Sequence, residues 1–216
     1  QYLKTLPVKT VSIDKVEADD IIAYLSKSVI NHPKDKSFII SSDKDFLQLV
    51  SENVIVYRPM EKEYYTPKTV IDKYKISPHN FILHKTLLGD NSDKIKGVKG
   101  LGEKGLLKKF PELIKKDMNW NDILDICENK MSDHAVYARI IHGQSDLEKN
   151  YKIMDLSNPM LSVKDKEWLN EIVESNDLPY YPDQFVAMYN EDQIGGLIRN
   201  VEFWVKDCFQ NLVIKK

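Results

Sequence analysis

The stretch "SFIISSDKDFLQLVSENVIVYRP", residues 37–59, alternates between two kinds of secondary structure. It opens with the apolar run of a buried strand, and "NVIVYRP" at its end has the same character. Between the two runs, "KDFLQLV" has the spacing of a short helix. A strand, a helix and a second strand in this order are typical of a parallel sheet. The stretch therefore predicts an α/β fold.

The flanking sequence predicts one more strand and a helix upstream, and mostly helices downstream. "VKTVSID" (8–14) has a strand pattern, and "VEADDIIAYLSKSVI" (16–30) has the pattern of an amphipathic helix. At Thr66-Pro67 and at Ser77-Pro78, a capping side chain precedes a proline, which indicates two helix starts. Further helical patterns follow at 102–116, 121–129, 132–152, 164–175 and 183–211, with breaks at Gly143 and Gly195-Gly196.

Composition argues against membrane proteins and disulfide-rich proteins. The chain has 216 residues, 42% of them hydrophobic and 30% charged, and no apolar run approaches the roughly 20 residues of a membrane helix. These values predict a soluble globular protein that does not enter a membrane. Cys127 and Cys208 are far apart, which argues against a disulfide framework or a zinc site and favours a reducing cytoplasm. A net charge of −2 means that any affinity for a polyanion must come from a local patch.

Such a patch follows residue 93. Residues 94–116 contain eight lysines and two glutamates, a local charge of +6. "GLGEKG" at 100–105 matches the dinucleotide-binding pattern G-x-G-x-x-G, but no buried strand precedes it, so the match carries little weight. A turn between two helices fits better, because glycines let a phosphate approach bare N–H groups at a helix start. The alternative is a solvated lysine face on an ordinary helical hairpin. The residues predicted to contact DNA are Lys94, Lys96, Gly97, Lys99, Gly100, Gly102, Lys104 and Gly105.

Seven acids form three groups along the chain. Taken singly, each has a structural interpretation: Asp14 and Glu17 read as a capping box, Asp43 as a helix cap and Asp90 as a turn residue. Taken together, they have the composition of a site for hard divalent cations, and two such ions about 3.5–4 Å apart can clamp a phosphodiester. An EF-hand is excluded because the required acids and glycine do not follow Asp90. The predicted ligands are Glu17, Asp19, Asp20, Asp43, Asp45, Asp90 and Asp93.

The motifs "EADD", "SSDKDFLQL" and "GDNSDKIKGVKGLGEKG" occur in the order and approximate spacing of a known family. Over residues 8–110 the sequence resembles the 5′ nuclease (flap endonuclease) family, which includes bacteriophage 5′ exonuclease/ribonuclease H enzymes and the 5′ nuclease domain of bacterial DNA polymerase I. The resemblance implies an α/β, parallel-sheet, PIN-like core followed by a helix-hairpin-helix region and C-terminal helices. The corresponding divisions are 1–76, 77–156 and 157–216.

The resemblance also implies a function: a metal-dependent 5′-3′ exonuclease or flap endonuclease that removes 5′-terminal nucleotides, flaps or RNA primers from duplex DNA during replication, in a bacterial or phage-infected cell. Magnesium or manganese would occupy two sites. Glu17, Asp19 and Asp20 would belong to the first, and Asp43, Asp45, Asp90 and Asp93 to the second. The loop from Gly97 to Gly105 would be the helix-hairpin-helix element, which in relatives also holds a potassium ion through main-chain carbonyls.

One departure from the family pattern stands out. Family members begin with a strand carrying a metal-binding Asp, followed by a second acidic strand and a basic helical arch, and none of these is recognisable in this sequence. In the family sheet those strands lie between the ones predicted here at 8–13 and 37–42. We therefore expect this chain to be the C-terminal part of a longer nuclease, with the front half on a separate polypeptide, removed or disordered. Alone, it would lack two metal ligands and the arch, which puts its own activity in question. The alternative is a non-catalytic duplex-DNA-binding module that retains only the helix-hairpin-helix.

Overall fold

The computed structural model describes residues 1–28, 32–91, 94–175 and 178–213. Contacts between residues divide the chain into two compact units. The main unit is Val16–Leu161, and the terminal unit combines Gln1–Lys15 with Ser162–Lys216. The three divisions 1–76, 77–156 and 157–216 follow from the family resemblance, and they stay a prediction.

A three-stranded sheet lies in the main unit. Its strands are β1 (Ser37–Ile40), β2 (Val54–Arg58) and β3 (Glu63–Tyr65), in that order across the sheet. Strands β1 and β2 are parallel, as the opening stretch predicts, and a 3₁₀ helix (Asp45–Leu49) lies between them in sequence. The short strand β3, which no sequence pattern indicated, pairs antiparallel to β2.

Only one face of this sheet is buried. Ile39, Val56 and Tyr65 point into the core, whereas the alternate residues Phe38 and Ile40 are 55% and 71% exposed. Strand β1 is also an edge strand in the described part of the chain. The sheet therefore leaves an apolar face and a strand edge open, although parallel strands are usually covered on both faces.

The strand predicted at 8–14 is wrong. These residues are described, and they form neither a strand nor a helix. Val11 and Ile13 alternate with polar residues, but the described part of the terminal unit contains no strand for them to pair with. Instead, the ammonium group of Lys9 donates to backbone carbonyls at the end of a helix, including that of Val173 at 2.9 Å.

Eight α-helices are described in the main unit. Two of the predicted starts are confirmed: the Thr66 hydroxyl accepts from Thr69 N, and the Ser77 hydroxyl accepts from Asn80 N to begin a 3₁₀ turn (Pro78–Asn80). The break predicted at Gly143 separates two of the helices. The helices are α1 (Ala18–Ser28), α2 (Pro67–Tyr74), α3 (Phe81–Leu88), α4 (Glu103–Lys109), α5 (Glu112–Lys115), α6 (Trp120–Asn129), α7 (Ala135–His142) and α8 (Gln144–Met154).

One apolar core joins the sheet and helices of the main unit, with Phe46, Phe81, Leu106 and Ile140 among its fully buried members. A polar contact crosses a long sequence distance within it. The side-chain amide of Gln48 donates to Met154 O at 2.9 Å and accepts from Leu156 N at 3.0 Å. The 3₁₀ helix is thereby joined to the end of α8.

The terminal unit contains a 3₁₀ helix (Tyr2–Thr5) and the helices α9 (Val163–Glu174), α10 (Pro182–Glu191) and α11 (Val201–Val213). Its own small core includes Leu6, Phe185, Tyr189 and Val205. Ser162 and Asp165 form a capping box at the start of α9. No described helix combines the length and the apolar character that crossing a membrane requires.

Candidate active site and nucleic-acid-binding loop

Two of the predicted acids, Asp43 and Asp90, line one cleft of about 640 Å³ in the main unit. Asp43 lies just after β1, at the carboxyl end where ligands bind in parallel sheets, and Asp90 follows α3. The wall carries charges of both signs, since Lys44, Arg58 and Lys85 also line it. A cleft of this composition suits an anionic ligand together with a cation.

Lys85 joins two of the predicted acids. It is buried in α3, and its Nζ pairs with a carboxylate oxygen of Asp45 and lies 2.7 Å from Oδ2 of Asp90. The structure thus brings Asp45 and Asp90 together, and Lys85 compensates their charge. Lys85 is not among the site residues predicted from the sequence. The available signal was a single lysine in the apolar helix "FILHKTLL", because lysine is almost never buried without a charged partner.

The backbone around Asp43 is shaped by local hydrogen bonds. Asp43 Oδ1 accepts from Asp45 N at 2.8 Å, and Asp43 N donates to the hydroxyl of Ser41. The buried Arg58 on β2 donates to Ser42 O at 2.7 Å and pairs with Glu61. These contacts fix the connection between β1 and the 3₁₀ helix, and they leave the Asp43 side chain exposed at the cleft.

The first group of acids lies at the start of α1. Asp19 and Asp20 are in its first turn, where the helix dipole stabilises a negative charge. Asp20 Oδ1 accepts from Met160 N at 2.8 Å, whereas Glu17 is exposed just before the helix. Because α1 begins at Ala18, Glu17 cannot be its third residue, so the capping box with Asp14 is wrong.

These acids fit a divalent ion by chemistry and only in part by arrangement. Carboxylate oxygens are the donors that magnesium and manganese prefer. Within 1–28, 32–91, 94–175 and 178–213, however, no group of three or more His, Cys, Asp or Glu side chains is placed to hold a metal. Asp93 lies outside the described residues. Lys85 supplies positive charge beside Asp45 and Asp90, so a metal ion would compete with its ammonium group for their oxygens.

His84 forms another part of the cleft wall. Its ring stacks on Phe81 at a centroid distance of 5.6 Å, meets Tyr74 edge-on, and lies 3.9 Å from a carboxylate oxygen of Glu103 on α4. Burial lowers the pKa of His84, and the nearby Glu103 offsets part of that effect. The neutral imidazole is therefore the form that the fold favours.

The glycine-lysine loop, residues 89–105, runs from the end of α3 into the first turn of α4. It begins with a small antiparallel hairpin, β4 (Gly89–Asp90) and β5 (Ile95–Lys96), which precedes the turn predicted within residues 97–105. A Cβ atom on Gly97 would lie 2.1 Å from the carbonyl carbon of Leu88, and one on Gly89 would lie 2.3 Å from Gly97 N. Both glycines are required because the two backbone segments touch.

A tight turn follows the hairpin at residues 98–101. Leu101 N donates to Val98 O at 3.0 Å, and Gly100 has a φ of 79°. A positive φ at the third position defines a type II turn, which favours glycine there. Val98 and Leu101 are buried and anchor the turn. Four predicted DNA-contacting lysines are exposed around it: Lys94, Lys96, Lys99 and Lys104.

The other two glycines in the predicted set are less constrained. Gly102 is the N-cap of α4, and no atom lies within 4 Å of an added Cβ. Gly105 lies within α4, where a Cβ would meet a Leu101 methyl group at an ordinary 3.5 Å. Bare backbone at the start of α4 leaves N–H groups accessible to a phosphate.

Comparison with known sequences identifies relatives. Residues 1–75 match the family model of the 5′-3′ exonuclease N-terminal resolvase-like domain. The 5′-3′ exonuclease of Aquifex aeolicus is 34% identical over 168 residues, covering 76% of this chain and 56% of that protein. The thermostable DNA polymerase I of Thermus thermophilus is 35% identical over 113 residues, which cover 52% of this chain and 12% of the polymerase. The chain thus spans about half the length, or less, of these relatives.

Comparison with solved structures identifies the same fold. The flap endonuclease of bacteriophage T5, in a pseudo-enzyme–product complex with DNA and metal ions, matches with a TM-score of 0.62 and 24% identity. The match covers 77% of this chain and 63% of that chain. The T5 5′-exonuclease with bound zinc matches with a TM-score of 0.57 and 24% identity, over 84% of this chain and 62% of that one.

The α/β fold, of the PIN-like type found in the T5 enzyme, is confirmed by these matches. The residues that the family model matches include the motifs around Asp20 and Asp43. This chain is similar to 5′-3′ exonucleases, and its first 75 residues match their N-terminal domain.

Proposed function

We propose that this chain carries the metal-binding and DNA-gripping parts of a divalent-metal-dependent 5′ nuclease, acting as a 5′-3′ exonuclease or flap endonuclease. One observation carries the proposal. Asp43 and Asp90 line a single cleft, and the loop that follows Asp90 is rich in glycine and exposed lysine. Acids that attract cations and a loop that attracts phosphates are therefore adjacent in the sequence.

The proposed metal ligands are the acids identified from the sequence. Asp43, Asp45, Asp90 and Asp93 would hold one magnesium or manganese ion, and Glu17, Asp19 and Asp20 would contribute to a second. The T5 flap endonuclease crystallised with metal ions supports metal binding by a chain of this fold. When bound, such ions would stabilise negative charge on the phosphodiester that is cleaved.

Lys85 has a defined role in this proposal. Its ammonium group pairs with the carboxylates of both Asp45 and Asp90 and holds them close together. Lys85 also lines the cleft. Its ammonium group would add a positive charge where the phosphate of the substrate enters.

The proposed substrate is duplex DNA with a 5′ end, a flap or an RNA primer, processed during replication in the cytoplasm of a bacterial or phage-infected cell. The glycine-lysine loop would act as the helix-hairpin-helix element and bind the sugar-phosphate backbone without reading its sequence. Its main-chain carbonyls would also hold a potassium ion. The T5 flap endonuclease complex with DNA supports the substrate class.

The open sheet supports a further partner. Phe38 and Ile40 are exposed on a face that parallel sheets normally cover, and β1 is an edge strand in the described residues. We propose that a nuclease segment with additional strands, in the same or a separate polypeptide, pairs with β1 and covers this face. The T5 enzyme has length for such strands, since the match covers 63% of it.

The charge balance around Asp45 and Asp90 favours a second function, that of a non-catalytic DNA-binding module. Lys85 already compensates Asp45 and Asp90, and the described residues form no group of three metal-binding side chains. A non-catalytic duplex-binding module that retains only the glycine-lysine loop would show these features.

A cleavage assay separates the two functions. A 5′-labelled flap duplex is incubated with the protein and magnesium, and in parallel with EDTA. The nuclease predicts cleavage that EDTA abolishes, that Asp43→Asn reduces at least about 100-fold, and that the exposed control Asp125→Asn on α6 leaves unchanged. Cleavage that persists in EDTA contradicts metal dependence. Salt-sensitive binding without cleavage, also after a strand-bearing segment of a relative is added, supports the non-catalytic module.

A further inference from the structure

Helix α7 contacts the glycine-lysine loop from another part of the sequence. Arg139 Nη1 donates to the carbonyl oxygen of Lys99 at 2.8 Å, across 40 residues. The same nitrogen would lie 3.1 Å from a Cβ atom on Gly100. The guanidinium group therefore lies directly against the central peptide of the type II turn.

This contact selects the orientation of that peptide. A trans peptide directs its C=O and its N–H to opposite sides. Because Arg139 binds the carbonyl of Lys99, the N–H of Gly100 is directed away from α7. In a type I turn the same peptide is rotated by about 180°, so the hydrogen bond from Arg139 would be lost. The positive φ of Gly100 agrees with the type II state.

A second contact from α7 fixes the other end of the same segment. The hydroxyl of Tyr137 donates to Lys109 O, the last residue of α4, at 3.0 Å. The Tyr137 ring is buried, and it meets Phe110 edge-on at 5.7 Å. Helix α7 thus holds the turn before α4 and the end of α4.

We propose that Arg139 is a positioning residue for phosphate binding, which orients the Lys99–Gly100 peptide so that the Gly100 N–H faces a phosphate of the nucleic acid backbone. The inference rests on the proposed function of the loop, and it adds a residue that lies outside the loop. Arg139 acts through the peptide and not by touching the phosphate. Its loss should therefore change the shape of the site more than its charge.

Two substitutions and one control test the inference. Arg139→Lys keeps a positive charge and a donor, whereas Arg139→Met removes both. Lys104→Met removes one charge from the loop and leaves the Lys99 carbonyl untouched. We expect Arg139→Met to weaken binding to a short DNA duplex about five-fold, the effect of one lost hydrogen bond, and Arg139→Lys to restore most of the affinity. Lys104→Met should lower the salt dependence of binding by about one phosphate contact, whereas Arg139→Met should leave it near the wild-type value.

The amide signal of Gly100 reports the orientation directly. The chain has eight glycines, so selective ¹⁵N-glycine labelling gives a small set of signals. In the wild type, duplex DNA should shift the Gly100 signal. In Arg139→Met this signal should move already without DNA and respond weakly to it. A far-UV circular dichroism spectrum and a thermal unfolding midpoint close to those of the wild type would show that the variant is folded.

The outcomes separate this inference from the proposed function. A wild-type protein that binds no duplex, or whose Gly100 signal ignores bound duplex, overturns the proposed function of the loop, and this inference falls with it. Wild-type binding with a Gly100 response, together with an Arg139→Met variant of equal affinity and equal response, overturns the inference alone. So does a salt dependence lowered by one contact in Arg139→Met, because Arg139 would then bind phosphate itself.

Discussion

Lys85 Nζ lies 2.7 Å from Asp90 Oδ2. Lys85 begins the last turn of α3, and Asp90 is the second residue of β4, the short strand that follows. Since the same ammonium group also pairs with Asp45, one buried lysine compensates two partly exposed acids. This arrangement links the stability of the cleft to its capacity to bind cations.

Replacing Lys85 should destabilise the protein. Lys85→Met leaves Asp45 and Asp90 without their shared positive charge, and we expect the free energy of unfolding to fall by about 3 kcal/mol at neutral pH. Magnesium should restore part of the loss if the freed oxygens bind it. Denaturant unfolding with and without magnesium measures both effects, with Lys104→Met as the exposed control. Equal stability of Lys85→Met and wild type would contradict the pairing.

Two glycines of the loop should respond oppositely to alanine. In Gly97→Ala the new Cβ would lie 2.1 Å from backbone of Leu88, so the hairpin must open, at a cost of about 3 kcal/mol or more. Gly105→Ala should stabilise the protein by up to about 1 kcal/mol, because the residue lies in α4 and its Cβ makes only an ordinary contact. Thermal unfolding of the two variants decides the prediction, and a neutral Gly97→Ala would disprove the close backbone approach.

The protein should lose stability in mild acid through His84. Burial lowers its pKa in the folded state, so the unfolded chain binds the proton more readily. Stability from the neutral imidazole is complete above about pH 6.5, the unfolded value, and is lost as the pH falls through the folded value. Unfolding at pH 7.5 and at pH 5.5 should therefore differ less in His84→Gln than in wild type. The exposed His79→Gln serves as control, and an identical pH dependence in His84→Gln would refute this role.

Neighbouring residues of β1 should differ sharply in their effect. Ile39 is buried in the core, and Ile39→Ala should cost about 2–4 kcal/mol. Ile40 points to the open face, and Ile40→Ala should change the stability of this chain by less than about 0.5 kcal/mol. Chemical denaturation of both variants tests whether the outer face is open. A large loss in Ile40→Ala would mean that this face is already covered.

Local patterns in the sequence were sufficient for much of the fold. The apolar runs around Ile39 and Val56 predicted the parallel pair, and Thr66 and Ser77 predicted two helix starts, because these signals depend on residues within one turn or strand. The same local logic failed at 8–14. Alternation there has the period of a strand, but a strand exists only where a second one supplies hydrogen bonds.

The site was predictable only in part, for a related reason. Asp43 and Asp90 stood out because each lies in a short motif, and the cleft between them agrees with that interpretation. Lys85, Arg58 and Arg139 acquire their roles from partners that the fold brings close, such as the Lys99 carbonyl 40 residues away from Arg139. No spacing rule identifies such a pair in one sequence.

The hydrogen bonds of the Gln48 side chain affect the order in which parts of the main unit can fold. It connects the 3₁₀ helix that begins at Asp45 to Met154, which is 106 residues later in the chain. A ribosome adds residues from the N-terminus onward, so this connection must wait until α8 has emerged. Contacts of such long range also slow folding. The acidic cleft should consequently mature late, after most of the main unit has been synthesised.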